Sequence, residues 1–173
     1  MRTTLLTILL LGFIANAPLH ADSWRFEPKL DETEFNFGAV RVIRGIDSRE
    51  DQRFPKFFVK VFKDGELVAL YPGASFDHIV ASKDNSLFVA VSNSGLPSTA
   101  LMVFRSSGSI GGFLNHYQGN IKYCDESVTL VRTWYNEEEP NITFHYDGDK
   151  VKEVTINSCN GHELKITELT SFR

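Results

Sequence analysis

The 173-residue chain has only two cysteines, no cluster of lysines and arginines, and no long stretch that combines helical periodicity with suitable caps. Each absence excludes something. Two cysteines cannot build a structural zinc site, and no histidine pair stands near them at ligand spacing. A formal net charge of −4 without a basic patch argues against nucleic acid and anionic membrane as partners, while it suits a basic protein partner. The lack of helical segments points to an all-β protein. No linker or low-complexity segment divides the chain, so one domain is expected.

A single apolar run is present, over residues 5–14, after the cationic start Met1-Arg2 and before the small residues Ala15, Ala17 and Ala21. It is too short for a stable membrane span and reads as a secretory signal peptide, residues 1–21, with residues 22–173 forming one mature β domain. No cysteine follows the cut, so a lipid anchor is not expected. Export would place Cys124 and Cys159 in an oxidising compartment, where such a pair reads as a disulfide. Closing a loop of this length stabilises a fold by about 3–4 kcal/mol on the chain-entropy argument.

Residues 22–34 read as an extended lead-in whose Trp24 and Phe26 tuck onto the domain. Alternation over residues 35–44 predicts a strand with Gly38 as a bulge, and residues 45–55 a charged, solvated loop. After Pro55 come short runs rich in β-branched and aromatic residues, at 57–62, 67–71, 76–81, 87–92, 99–104, 113–117, 128–135, 142–146, 151–156 and 164–169. Asp64-Gly65 supplies the positive φ of a tight hairpin. Trp134 and Tyr135 read as core.

The runs recur. Asp84-Asn85-Ser86 returns as Asp125-Glu126-Ser127 at an offset of 41 residues. Phe62 with Asp64-Gly65, Phe104 with a Ser/Gly turn, and Phe144 with Asp147-Gly148 follow one another at offsets of 42 and 40. A period near forty with several short strands per copy is the signature of propeller blades. Closed propellers need about four blades or more, which this length barely allows. The expected architecture is therefore blade-like antiparallel sheets in an incomplete or irregular β-propeller, with a two-sheet β-sandwich as the alternative.

One copy departs from the scaffold. Where the others carry Asp-Gly, this one reads Arg105-Ser106-Ser107-Gly108-Ser109-Ile110-Gly111-Gly112. Small side chains give a protruding loop little bulk, serine hydroxyls both donate and accept hydrogen bonds, and glycine allows close backbone approach. Such a loop suits the plugging of a narrow cleft. Ser106, Ser107, Gly108, Ser109, Ile110 and Gly111 are the candidate partner-binding residues, and a merely flexible hairpin is the plain alternative.

A catalytic reading has less behind it. Asp77-His78 or His116 would have to activate Ser107 or Ser109, but a nucleophile needs a rigidly placed base and an oxyanion site. A mobile Ser/Gly hairpin offers neither, so no enzyme is expected. Residues 108–112 lack the lysine and helix of a phosphate loop. Asp147 and Asp149 do not follow calcium-loop spacing. Neither cofactor nor metal is expected.

Together, the signal peptide, the mature start Asp22-Ser23-Trp24-Arg25-Phe26, the blade-like repeats and Ser106-Ser107-Gly108-Ser109 resemble the periplasmic immunity proteins of type VI secretion systems. The particular group protects its producer against a secreted peptidoglycan amidase of the cysteine-peptidase type. The resemblance implies that a loop enters the amidase cleft and that its serine hydroxyls meet the catalytic cysteine and histidine. On this chain that loop is residues 106–110, with Ser107 and Ser109 as the contacts. Effectors of this group tend to be basic, so the acidic balance would speed encounter. The competing expectation is a non-enzymatic envelope assembly protein that binds through its blade edges.

Overall fold

The computed structural model describes residues 25–93, 99–116, 121–126, 132–136, 138 and 140–167. The expected signal peptide, Trp24 and parts of the runs at 113–117, 128–135 and 164–169 lie outside the described residues. Strands β1 (Leu30–Phe37), β2 (Val40–Asp47), β3 (Lys56–Lys63) and β4 (Glu66–Pro72) form one antiparallel meander in chain order. A second meander follows, of β5 (His78–Ala81), β6 (Leu87–Val91), β7 (Thr99–Arg105) and β8 (Ile110–Asn115). The short pair β9 (Asp125–Glu126) and β10 (Arg132–Thr133) precedes a third sheet of β11 (Asn141–Asp147), β12 (Lys150–Asn157) and β13 (Glu163–Ile166). The protein is all-β, as its composition predicts, and every described strand pair is antiparallel.

Two local expectations are corrected. Residues 35–44 are a hairpin and not one strand: Phe37 pairs with Val40, and Gly38, at φ +63°, makes the turn between them. A glycine at positive φ reverses the chain here instead of bulging it. Gly45 belongs to β2 rather than to the charged loop, because Phe58 lies directly across it. A Cβ there would stand 1.9 Å from the Phe58 ring. The Asp64-Gly65 hairpin forms as expected, with both residues at positive φ.

The runs of β6 and β7 are apolar on both faces, the pattern of a strand buried from two sides. Phe88, Ala90, Met102 and Phe104 pack against Val40, Val42, Val59, Val61 and Tyr71 of the first sheet. Leu87, Val89, Val91, Leu101 and Val103 point the other way, onto Trp134, Tyr135, Val154 and Ile156. The second sheet is thus the middle layer of three, not half of a two-layer sandwich. Successive meanders stack face to face as blades do, but among the described residues no strand pair links one sheet to another, and the sheets stay open.

The repeat holds best over the first two sheets. In both, the turn between the third and fourth strands is the recurring one: Asp64-Gly65 in the first, the Ser/Gly turn in the second. In the third sheet Gly148 turns the chain between its first two strands, so the register of the period is lost there.

All these tight turns lie at one end of the stack. Asp64 N–H donates to Ala39 O at 2.9 Å, and Lys83 N–H donates to the Tyr146 hydroxyl at 2.8 Å, tying neighbouring turns together. The opposite end holds a polar network. Ser92 Oγ and Asn93 N–H both donate to the Asp77 carboxylate at 3.0 Å, and Trp134 N–H donates to Asn93 Oδ1 at 3.0 Å. Arg44 of the first sheet stands 3.6 Å from Asp77. At that end Cys124 and Cys159 form the expected disulfide, with Cα atoms 6.1 Å apart.

Candidate functional site

The Ser/Gly segment divides into a turn, residues 106–109, and the start of β8, which already includes Ile110 and Gly111. Gly108 N–H donates to Arg105 O at 2.8 Å and Arg105 N–H to Ser109 O at 2.9 Å, closing the turn on itself. Ser106 N–H donates to Ser86 O at 3.0 Å, fastening it to the neighbouring turn of the same sheet. In β8 the register slips between Val103 and Phe104, because Phe104 pairs with Ile110 and Val103 with Gly112. Gly111 is the extra residue of this bulge and is buried.

The expected protruding tip is instead seated on the first sheet. Gly108 has φ +82°, and a Cβ there would stand 2.7 Å from Ala69 Cβ and 2.8 Å from Val68 O. Only glycine fits both the backbone angle and the gap. From below, the Tyr71 hydroxyl donates to Gly108 O at 2.7 Å. Burial pushes the Tyr71 phenol up to about 12, so it remains a donor throughout the physiological range. Tyr71 is itself held by its ring contact with Phe104, with centroids 5.8 Å apart.

On either side of the seated Gly108, the side chains of Ser107 and Ser109 are exposed, with their hydroxyl oxygens 3.1 Å apart and hydrogen-bonded to each other. Ser106 is half-buried and Ile110 is exposed. Of the six candidate residues, therefore, Ser107, Ser109 and Ile110 present side chains outward, while Gly108 and Gly111 set the backbone. Sequence reasoning missed Tyr71, Val68 and Ala69 as the supports. No local signal marks them, because the contact joins residues about forty positions apart.

Beside the turn lies a groove of 350 Å³ lined by Asp84, Ser86, Arg105, Asp149 and Lys150, among others. Hydrogen bonds from the Ser82 and Ser86 hydroxyls and the Ser86 N–H hold the Asp84 carboxyl below its ordinary range. With both signs present, the groove has no strong net field.

The residues weighed for hydrolysis are not brought together. His78 pairs with Val91, and His116 follows Asn115, which pairs with Thr99. Both stand at the opposite end of β7 from the serine turn, about 20 Å away at ordinary strand rise. The His78 ring lies edge-on to Tyr135, with centroids 5.7 Å apart. Among the described residues, no group of three or more histidine, cysteine, aspartate or glutamate side chains could hold a metal ion. No protein-family model, curated protein or solved structure matches this chain.

Proposed function

We propose that this chain is a periplasmic immunity protein that binds a peptidoglycan amidase toxin, delivered by a type VI secretion system, and blocks its active-site cleft with the Ser/Gly turn. The observation that carries this reading is the pair of exposed hydroxyls on Ser107 and Ser109, 3.1 Å apart on a turn whose glycine is seated on the adjacent sheet. A turn held in place before binding loses little conformational freedom on binding. Each hydroxyl both donates and accepts, which matches a catalytic cysteine and histidine that present a donor and an acceptor. The disulfide is compatible with an oxidising compartment such as the periplasm.

The test uses purified protein and a purified amidase of the cysteine-peptidase type from the same organism. Ser109→Trp should weaken the complex strongly while leaving the melting temperature close to wild type, because Ser109 is exposed. Affinity unchanged by this substitution would refute the cleft-blocking role.

A further inference from the structure

The disulfide between Cys124 and Cys159 lies at the surface, with both residues exposed. Its two sulfurs are not equally placed. Cys159 belongs to the wall of a groove of 430 Å³, together with Asn136, Asn141, Asn157 and Ser158 among others, whereas Cys124 does not line it. A body lying in the groove meets Cys159 first. Asn141 at the start of β11 and Asn157 at the end of β12 are directly paired, which sets their side chains next to each other on one face of the sheet. Neither carboxamide has a hydrogen-bond partner among the described residues. Each can donate and accept, as the N–H and C=O groups of an extended peptide require.

Chemistry separates the sulfurs as well. In thiol–disulfide exchange the rate depends on which sulfur is attacked and on how well the departing thiolate is stabilised. Cys159 Sγ stands 3.9 Å from Thr133 O, and the negative end of that carbonyl dipole opposes charge on Cys159. Attack at Cys124 would expel Cys159 as a thiolate, whereas attack at Cys159 expels Cys124. Groove and carbonyl thus favour the same sulfur. The fold need not open for the reaction. Trp134 is also held by its Nε1–H, which donates to Ser92 O at 2.8 Å, and by its backbone N–H on Asn93, so its segment keeps its place when the S–S bond breaks.

We infer that this groove binds the cysteine-bearing segment of a thiol peptide and that Cys159 is the sulfur it attacks, which makes the disulfide a site of exchange in the folded protein. The peptide thiolate bonds to Cys159 Sγ as the bond to Cys124 breaks. Cys124 leaves with the electron pair and takes a proton from water. A monothiol stops at this mixed disulfide. With a dithiol, the second thiolate attacks the peptide sulfur and Cys159 leaves, so the dithiol is oxidised by two electrons while Cys124 and Cys159 are reduced. Run backwards, the same steps insert the bond into the folded chain. None of them involves the serine turn or the amidase.

The test treats wild-type protein with glutathione, a tripeptide monothiol, quenches with excess maleimide and locates both groups by peptide mass mapping. Glutathione should sit on Cys159 and maleimide on Cys124, at a rate that denaturant leaves unchanged below the unfolding transition. Glutathione on Cys124, an equal split, or reaction only where the chain unfolds overturns the assignment. Replacing Asn141→Ala together with Asn157→Ala should slow exchange with the peptide thiol about fivefold through lost hydrogen bonds, and should not slow mercaptoethanol, which has no peptide group. Equal slowing of both thiols, or of neither, would overturn peptide recognition by the groove. A thioredoxin-like protein whose second cysteine is replaced by serine forms the other arm. A trapped adduct with it alone identifies a dithiol protein as the natural thiol, and an adduct with glutathione alone identifies a free peptide thiol. No adduct with either overturns the inference.

Discussion

The two interlayer cores are built by different means. Between the first and second sheets an aromatic row carries the packing, with Phe37 against Phe88 at 5.2 Å, Phe88 stacked on Phe104 at 5.2 Å, and Phe104 against Tyr71 at 5.8 Å. Between the second and third sheets, aliphatic residues meet Trp134 and Tyr135, and the segment bearing them is tied down covalently. Cys124 N–H donates to Thr133 O at 2.8 Å and Cys159 N–H to Trp134 O at 3.1 Å, so the disulfide clamps both sides of that segment. The serine turn belongs to the first core. Its anchor, Tyr71, is the last member of the aromatic row, and the covalent tie sits at the far end of the stack. Stability and contact geometry are thereby assigned to different parts of one small domain.

Breaking the second core is the sharpest way to test that separation. Replacing both cysteines, Cys124→Ser with Cys159→Ser, should cost about 3–4 kcal/mol of unfolding free energy in denaturant titration. Hydrogen exchange should quicken over residues 141–166 and change little over residues 105–109. Equal loss of protection in both segments would show that the cores do not act separately.

A smaller effect is expected at the first core's contact with the turn. Gly108→Ala forces a Cβ into Ala69 and Val68 at a backbone angle that alanine disfavours, and should cost about 1–3 kcal/mol. It should also weaken amidase binding, as Ser107 and Ser109 lose their placement. Stability unchanged by Gly108→Ala would mean that the seat on β4 is not a tight one.

Smallest is Tyr71→Phe, which removes one hydrogen bond to Gly108 O and should cost about 1 kcal/mol. It carries a pH signature as well. Because burial raises the Tyr71 phenol from 10.0 to about 12, its neutral form is favoured in the folded state. That contribution is complete below pH 10 and is lost as pH rises through about 12. Wild type should therefore lose stability over this window in thermal melts, and Tyr71→Phe should lack that component.

Much of the scaffold was legible in the sequence because it depends on local pattern. Strand runs, the Asp64-Gly65 hairpin and the buried Trp134-Tyr135 pair all follow from side-chain type and spacing, and the two cysteines from their count. The double burial of the second sheet is likewise visible in the unbroken apolar runs of β6 and β7. Gly38 misled because a glycine between alternating residues can bulge a strand or reverse it, and only its partners decide. Gly45 looked like loop because its charged neighbours did, whereas its role is set by Phe58 across the ladder. The Ser/Gly composition marked the turn but not its seating, which depends on a strand in another sheet.

The most direct measurement is a titration of amidase activity on peptidoglycan fragments with wild type and with Ser109→Trp. Wild type should abolish turnover at an equimolar ratio, and Ser109→Trp, equally well folded, should leave most of it intact. Equal inhibition by the two proteins would contradict the assignment of the serine turn to the enzyme's cleft.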